Sequence, residues 1–293
     1  MVGRSALPSK VVRFYGNVEY ALETLAQRQI TFVHVSKLND PFDPYFFLET
    51  SFDANYEKLV EWVKLNHPIA SSWFTAEVSK DHWEEAVDGI RKQMQNHRDN
   101  TFVFSCSAVT NDSHPKDNLY MRGHYGNGHR GVAIEFNTRE TSSLLTQISN
   151  ATKGQNRPTE DAWIKVEYEH KISPLTCQIF FDFFKSEHDG DKRRTSLHEY
   201  YYKTSRVKSI VWKREVEWRM LWMNDETRLK VHRAQIPHDA VSAVYVGLST
   251  PEATEADIRF EVSRNFPGAK LYRARKKLSF TQLEFKQVDY AHD

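Results

Sequence analysis

The stretch Trp212-Lys-Arg-Glu-Val-Glu-Trp-Arg-Met-Leu-Trp-Met223 alternates in character. Read as a β-strand, it sends Glu215, Glu217 and Arg219 from one face and Val216, Trp218 and Met220 from the other. The charged face has two readings. It is either the solvated side of a half-buried sheet, with Glu and Arg in cross-strand pairs, or it holds charge around a substrate. In the second case adjacent carboxylates raise one carboxyl pKa and the neighbouring cation lowers it.

On the N-terminal side of this stretch, Val11 to Tyr15 reads as a short strand, Gly16-Asn17 as a break, and the residues carrying Tyr20, Leu22, Leu25 and Ala26 as an amphipathic helix. Ile30 to Val35 is a second strand. Asp40 and Asp43 are turn residues or metal ligands, with the turn favoured by Pro41. Residues 53–99 change to helical spacing, with one stripe at Tyr56, Leu59, Val60 and Val63 and another at Trp83, Val87, Ile90 and Met94. Asp81 and Glu84 resemble a capping box ahead of the second. Thr101 to Ser107 is a strand ending in small hydroxyl residues. Asn118 to Met121 is a short helix. His124 to Gly131 is a glycine-rich turn that either admits a ligand to the backbone or closes a hairpin, and Val132 to Phe136 is the strand after it.

Residues 137–161 are polar. Ile164, Val166 and Tyr168 alternate with charged residues as in a strand with one wet face, and Ile179 to Phe184 is an apolar run. A strand at Ala243 to Leu248, a helix at Glu252 to Phe266 and a strand at Gln282 to Val288 close the chain. Short strands with scattered helices and no regular βαβ alternation imply an α+β fold. The expectation is one domain over residues 1–293, with helical insertions at about 53–99 and 174–205.

The 40 basic and 39 acidic side chains cancel, so no global field marks a nucleic-acid or membrane partner and any such binding is local. Aromatic residues make up 13% of the chain, enough for a substantial core with rings to spare for a ligand. Two cysteines, Cys106 and Cys177, support neither a disulfide framework nor a thiolate zinc site, which fits a reducing, cytoplasmic setting. No signal peptide or membrane-length apolar run is present. His114, His124 and His129 stand ten and five residues apart, a spacing that matches no common ligand pattern, so no metal is expected. Lys192, Arg193, Arg194, Lys203, Arg206, Lys208, Lys213 and Arg214 concentrate positive charge ahead of the glutamates, as a solvated helical face or as a landing site for a phosphate-rich partner.

Three separated segments carry a resemblance. Arg13 in a first strand, Ser105-Cys-Ser107 ending a middle strand and Glu215-Val-Glu217 in a later one resemble the arginine, serine-x-serine and glutamate-x-glutamate order of ADP-ribosyltransferases. The chain is also similar to a large uncharacterised bacterial family, through Asn39 to Asp43, Ser105 to Ser107, His124-Tyr125, Gly131 to Phe136 and Trp212 to Arg219. Cys106 stands where that middle motif more usually has threonine or a large residue.

The resemblance implies a split, bent β-sandwich with NAD as substrate in its cleft. It implies Glu217 as the carboxylate facing the ribose, Glu215 as guide or base for the acceptor, and Ser105 or Ser107 orienting Glu217 or binding ribose. Arg13 would grip the pyrophosphate or ribose, with Tyr15 or Tyr125 stacked on nicotinamide and His124 beside them. Arg194, Lys208, Lys213 and Arg214 would meet the acceptor. The expected activity is NAD-dependent mono-ADP-ribosyl transfer to a macromolecule, RNA or DNA ahead of protein, by a bacterial toxin or phage-defence effector with a possible antitoxin partner. The alternatives are an NAD glycohydrolase and a non-catalytic nucleic-acid-binding module.

Overall fold

Alternating apolar residues mark several of the strands, and the described elements follow in chain order. They are β1 (Lys10–Tyr15), α1 (Val18–Gln27), β2 (Gln29–His34), α2 (Phe52–Asn66), α3 (Trp83–Asp99), β3 (Thr101–Ala108), α4 (Leu119–His124), β4 (Val132–Asn137), α5 (Thr138–Ser142), β5 (Ile164–Lys165), β6 (Glu167–Glu169), β7 (Val207–Ser209), β8 (Glu217–Met223), β9 (Val231–Gln235), β10 (Val241–Val246), α6 (Glu252–Asn265), β11 (Lys270–Lys276) and β12 (Leu283–Val288). The structure is a computed structural model, and it describes residues 6–40, 43–44, 52–66, 83–142, 163–171, 200–223, 231–278 and 281–290. The chain forms two compact units, one of Met1–His34, Phe102–Val166 and Lys213–Asp293, the other of Val35–Thr101 and Glu167–Trp212. The fold is α+β, built on a large open sheet.

The first unit holds a ten-stranded sheet in the order β12-β11-β10-β4-β1-β3-β2-β9, with β8 paired to β3 and β5 to β8. Its central register is antiparallel, with Arg13 opposite Ile134 and Val12 opposite both Glu135 and Ser107. One face of the sheet carries the main core, which includes Tyr15, Phe32, Phe104, Cys106, Ile134, Trp218, Met220 and Trp222. Each such side chain, once fully buried, contributes about 1.5–3 kcal/mol. Helices α1 and α6 cover that face through Ala21 and Leu25 and through Ile258 and Val262. Asn17 caps α1 by accepting from the Glu19 amide at 2.9 Å, and Arg28 ends it in the left-handed region (φ 52°), turning the chain into β2. Tyr20 and Ala26, expected on the apolar stripe of α1, face solvent, while Ala21 and Thr24 are buried. The stripe is rotated towards the sheet from where hydrophobicity alone puts it.

The opposite face has a smaller apolar cluster of Val12, Ala133, Ala243 and Tyr245. Buried among the sheet residues on that side, Glu135 accepts from Lys10 (2.7 Å), Ser242 (2.5 Å) and Tyr245 (2.9 Å) and pairs with His114 (2.7 Å). Burial pushes its carboxyl up, but the four hydrogen bonds more than offset this and hold it far below the usual carboxylate range.

In the second unit, Trp83, Val87, Ile90 and Met94 of α3 are all buried, as their spacing predicts, and so is Val63 of α2. Strands β6 and β7 pair in parallel, and His97 stacks on Tyr201 at 5.4 Å. The alternation at 164–168 does not form one continuous strand, because β5 ends at Lys165 and β6 begins at Glu167 in a separate sheet. Asp81, residues 143–162, the apolar run 179–184 and the basic residues 192–194 lie outside the described residues, as does most of the insertion expected at 174–205.

Candidate functional site

The site is built around β3, which takes three partners on its two edges. Strand β1 pairs with its last residues (Val11 with Ala108, Val12 with Ser107) and β2 with its first (Val33 with Val103, His34 with Phe102). Strand β8 is joined through the Ala108 amide, which donates to the Val216 carbonyl at 2.9 Å. Beyond the pairing of Val12 with Ser107, the Arg13 guanidinium donates to the Ser105 carbonyl at 3.0 Å. Its carbon sits 4.6 Å from the centre of the Phe104 ring and 5.6 Å from that of Tyr15.

The central strand begins later than the sequence predicts. Residues Ile210–Glu215 form a 3₁₀ turn, Val216 is left-handed (φ 47°), and regular strand starts at Glu217. Glu215 and Glu217 are therefore not neighbours on one strand. A β-branched residue is costly in the left-handed region, so Val216 marks a strained corner held by its surroundings. From Glu217 on, alternation holds. Trp218, Met220 and Trp222 enter the main core, and Glu217 and Arg219 leave the opposite face, the one to which Ser105 and Ser107 also belong. That face is not solvated, for Glu217 is 6% exposed and Arg219 fully buried.

Arg219 places Nε at 3.1 Å and Nη2 at 2.9 Å from a single oxygen of Glu217. Glu215, also buried, accepts a short hydrogen bond from the Tyr125 hydroxyl. Ser107 is buried, and the Ser105 hydroxyl is a buried group without a hydrogen-bond partner among the described residues. Arg13 reaches β3 from the main-core side, since its register partner Ile134 lies in that core. Arg13 and Glu217 both act on the Cys106 thiol. Burial pushes this thiol up, with Arg13 lowering it and Glu217 raising it further.

The glycine-rich turn is a structural clamp. A Cβ at Gly131 would lie 2.2 Å from the Tyr15 carbonyl oxygen, and one at Gly247 would lie 2.3 Å from that of His129. The Gly131 amide donates to Gly126 and the Gly247 amide to Gly131. Backbones thus touch where no side chain fits, and Tyr125 is presented to Glu215 from a fixed base.

The other expected site residues are placed as follows. Tyr15 is packed in the main core beside Thr24, and its phenol is raised by burial, with Arg13 opposing. His124 is exposed, stacked on Tyr120 and set edge-on to Tyr125. Lys213 and Arg214 are exposed. Lys208, expected on a basic surface, is instead buried in the second unit, 3.8 Å from Asp43 and over the Trp212 ring. Asp43 in turn donates its amide to the Asp40 carbonyl, as in a turn. Arg194 lies outside the described residues. Among the described residues no three His, Cys, Asp or Glu side chains are grouped to hold a metal ion. Likewise no described helix is long and apolar enough to cross a membrane.

Two features are not legible in the sequence. In the letters Arg219 is one of a charged triplet, and its capture of Glu217 follows only from burial. The cluster of Lys10, His114, Glu135, Ser242 and Tyr245 makes direct contacts between residues up to 131 positions apart. Its one trace in the sequence is a glutamate inside the apolar run Val132-Ala-Ile-Glu-Phe136.

The chain is similar to an uncharacterised family. A model described as a protein of unknown function (DUF2971) matches residues 121–220, which take in Tyr125, Glu215, Glu217 and Arg219. No curated protein and no solved structure matches the chain.

Proposed function

We propose that the chain is an NAD-dependent mono-ADP-ribosyltransferase that modifies a macromolecule, nucleic acid ahead of protein. The carrying observation is the Glu217–Arg219 pair, held out of water on the sheet face of Ser105 and Ser107. Taking two charges from water costs more than apolar packing in the same space, so such a pair is weakly justified by stability and points towards chemistry. The motif order of the ADP-ribosyltransferases gives that chemistry a form, a split β-sandwich with NAD as substrate.

In this reading the bond between the ribose C1′ and the nicotinamide nitrogen breaks, and its electron pair leaves with nicotinamide, which departs neutral. Positive charge develops on the ribose, and the Glu217 carboxylate stabilises it more in the transition state than in the ground state. Arg219 fixes the orientation of that carboxylate. The acceptor nucleophile bonds to C1′ and gives up its proton to Glu215, which Tyr125 positions. The Ser105 hydroxyl supplies an uncommitted donor for the ribose. Arg13, committed to the Ser105 carbonyl and the Phe104 ring, supports β3 in this scheme and meets the cofactor only by leaving those contacts.

The test is nicotinamide release from NAD, with labelled NAD and added RNA, DNA or cell extract to find the acceptor. Glu217→Gln preserves the shape and an acceptor for Arg219, and is expected to slow release about 100-fold or more, the scale of losing one transition-state contact. Release by the variant at the parental rate would overturn the reading, as would binding of nucleic acid with no NAD turnover. Release that never labels a polymer would identify a glycohydrolase instead.

A further inference from the structure

Helix α4 presents a surface that the proposed chemistry does not use. Tyr120 is 39% exposed, and its ring lies parallel to that of His124, centroids 5.7 Å apart and planes 10° apart. His124 covers one face of Tyr120. The ring is therefore already oriented, and an aromatic fixed before binding loses little entropy when a flat ligand stacks on it. Two hydrogen bonds tie this helix to the corner ahead of β8. Asn118, its cap, donates to the Arg214 carbonyl at 3.5 Å, and Tyr125, one residue past its end, donates to Glu215. The exposed cations Lys213 and Arg214 thus belong to the segment tied to the cap of the helix that carries the aromatic pair, and they directly precede buried Glu215.

We infer that Tyr120, backed by His124, is a stacking platform for a base of single-stranded nucleic acid whose phosphates lie on Lys213 and Arg214. A ring with an open face next to a short run of cations is how sequence-tolerant single-strand binders are built, the ring taking the base and the cations the backbone. A duplex cannot use the ring without unstacking, so the arrangement selects single strands. The chain's near-zero net charge makes this local placement decisive, since no global field recruits a polyanion. The role as acceptor site rests on reading Glu215 and Glu217 as the reacting centre, whereas the binding itself does not.

Fluorescence anisotropy with labelled oligonucleotides of about 12 nucleotides, as single-stranded RNA, single-stranded DNA and duplex, tests it on the full chain. Single strands should bind more tightly than duplex, and the tighter of RNA and DNA names the acceptor polymer. Tyr120→Ala should weaken binding about 5- to 100-fold, the loss of one base–aromatic stack, while Tyr120→Phe keeps it. Replacing Lys213 and Arg214 together by Gln should lower the slope of log affinity against log salt by about 1.4, from about 0.7 per phosphate on a single strand. Failure of both single strands to bind, or unchanged binding by Tyr120→Ala, overturns the inference. Nicotinamide release assayed without oligonucleotide keeps the two readings apart, since its absence alongside intact binding removes the enzyme and leaves the platform.

Discussion

Replacing Arg219 by Leu should be among the most damaging single changes in the sheet. Arg219 is fully buried and gives two donors to one oxygen of Glu217, itself 6% exposed. Leu restores part of the packing volume but takes the two Arg219 donors away from a carboxylate in the interior. Breaking a buried pair from one side costs about 3–5 kcal/mol. Against a total stability of about 5–15 kcal/mol, that is a third or more for a chain near the middle of the range. The double variant Glu217→Leu with Arg219→Leu removes both charges and both desolvation penalties, so it should recover most of the loss or exceed the parent. Urea unfolding followed by tryptophan fluorescence and circular dichroism measures this. With a slope of about 2 kcal/mol per molar, the single variant's midpoint should fall by about 1.5–2.5 M and the double variant's should return. A single variant within about 1 kcal/mol of the parent, or a double variant no more stable than the single, would refute the account of this pair as buried and mutually dependent.

Glu135 gives a pH signature. Its folded pKa is depressed, so the unfolded state binds the proton more readily and the stability it contributes is complete above the unfolded value of about 4.5 and drains as pH falls below it. Thermal unfolding between pH 6 and pH 3 should therefore show a steeper loss for the parent than for Glu135→Gln, and parallel curves would count against the hydrogen-bonded carboxylate. The glycines divide sharply. Gly131→Ala drives a methyl into the Tyr15 carbonyl and should lower stability by several kcal/mol. Gly123→Ala meets nothing within 4 Å inside a helix and should raise stability by about 0.5–1 kcal/mol, both read as shifts in midpoint.

Much of the architecture is visible in one dimension. Each strand of the first unit that the apolar pattern marks at 11–15, 30–35, 101–107, 132–136 and 243–248 appears within two residues of those bounds, and each apolar stripe of 53–99 lies on a helix. Period-2 and period-3.6 patterns survive because one face of each element is buried against a common core. The pattern fails at Val216. Alternation carries on through 215–217 in the letters, while the backbone there turns through a left-handed residue and puts Glu215 and Glu217 on different elements. It also misjudges Lys208, since a basic run reads as solvated whether or not a carboxylate such as Asp43 waits for one of its members.

The order of residues alone thus marked many of the first unit's strands and the apolar stripes of the helices within 53–99, set the charged residues of 215–219 apart as demanding an explanation, and put Tyr125 in a glycine-rich turn. Periodicity and turn chemistry are local, and a chain segment carries them wherever it goes. Burial, partner and face are not local. That Arg219 holds Glu217, that Tyr125 reaches Glu215 and that Arg13 comes to β3 from the other side are consequences of which strands lie side by side. Charges that look solvated in a sequence become paired and committed once a sheet closes over them.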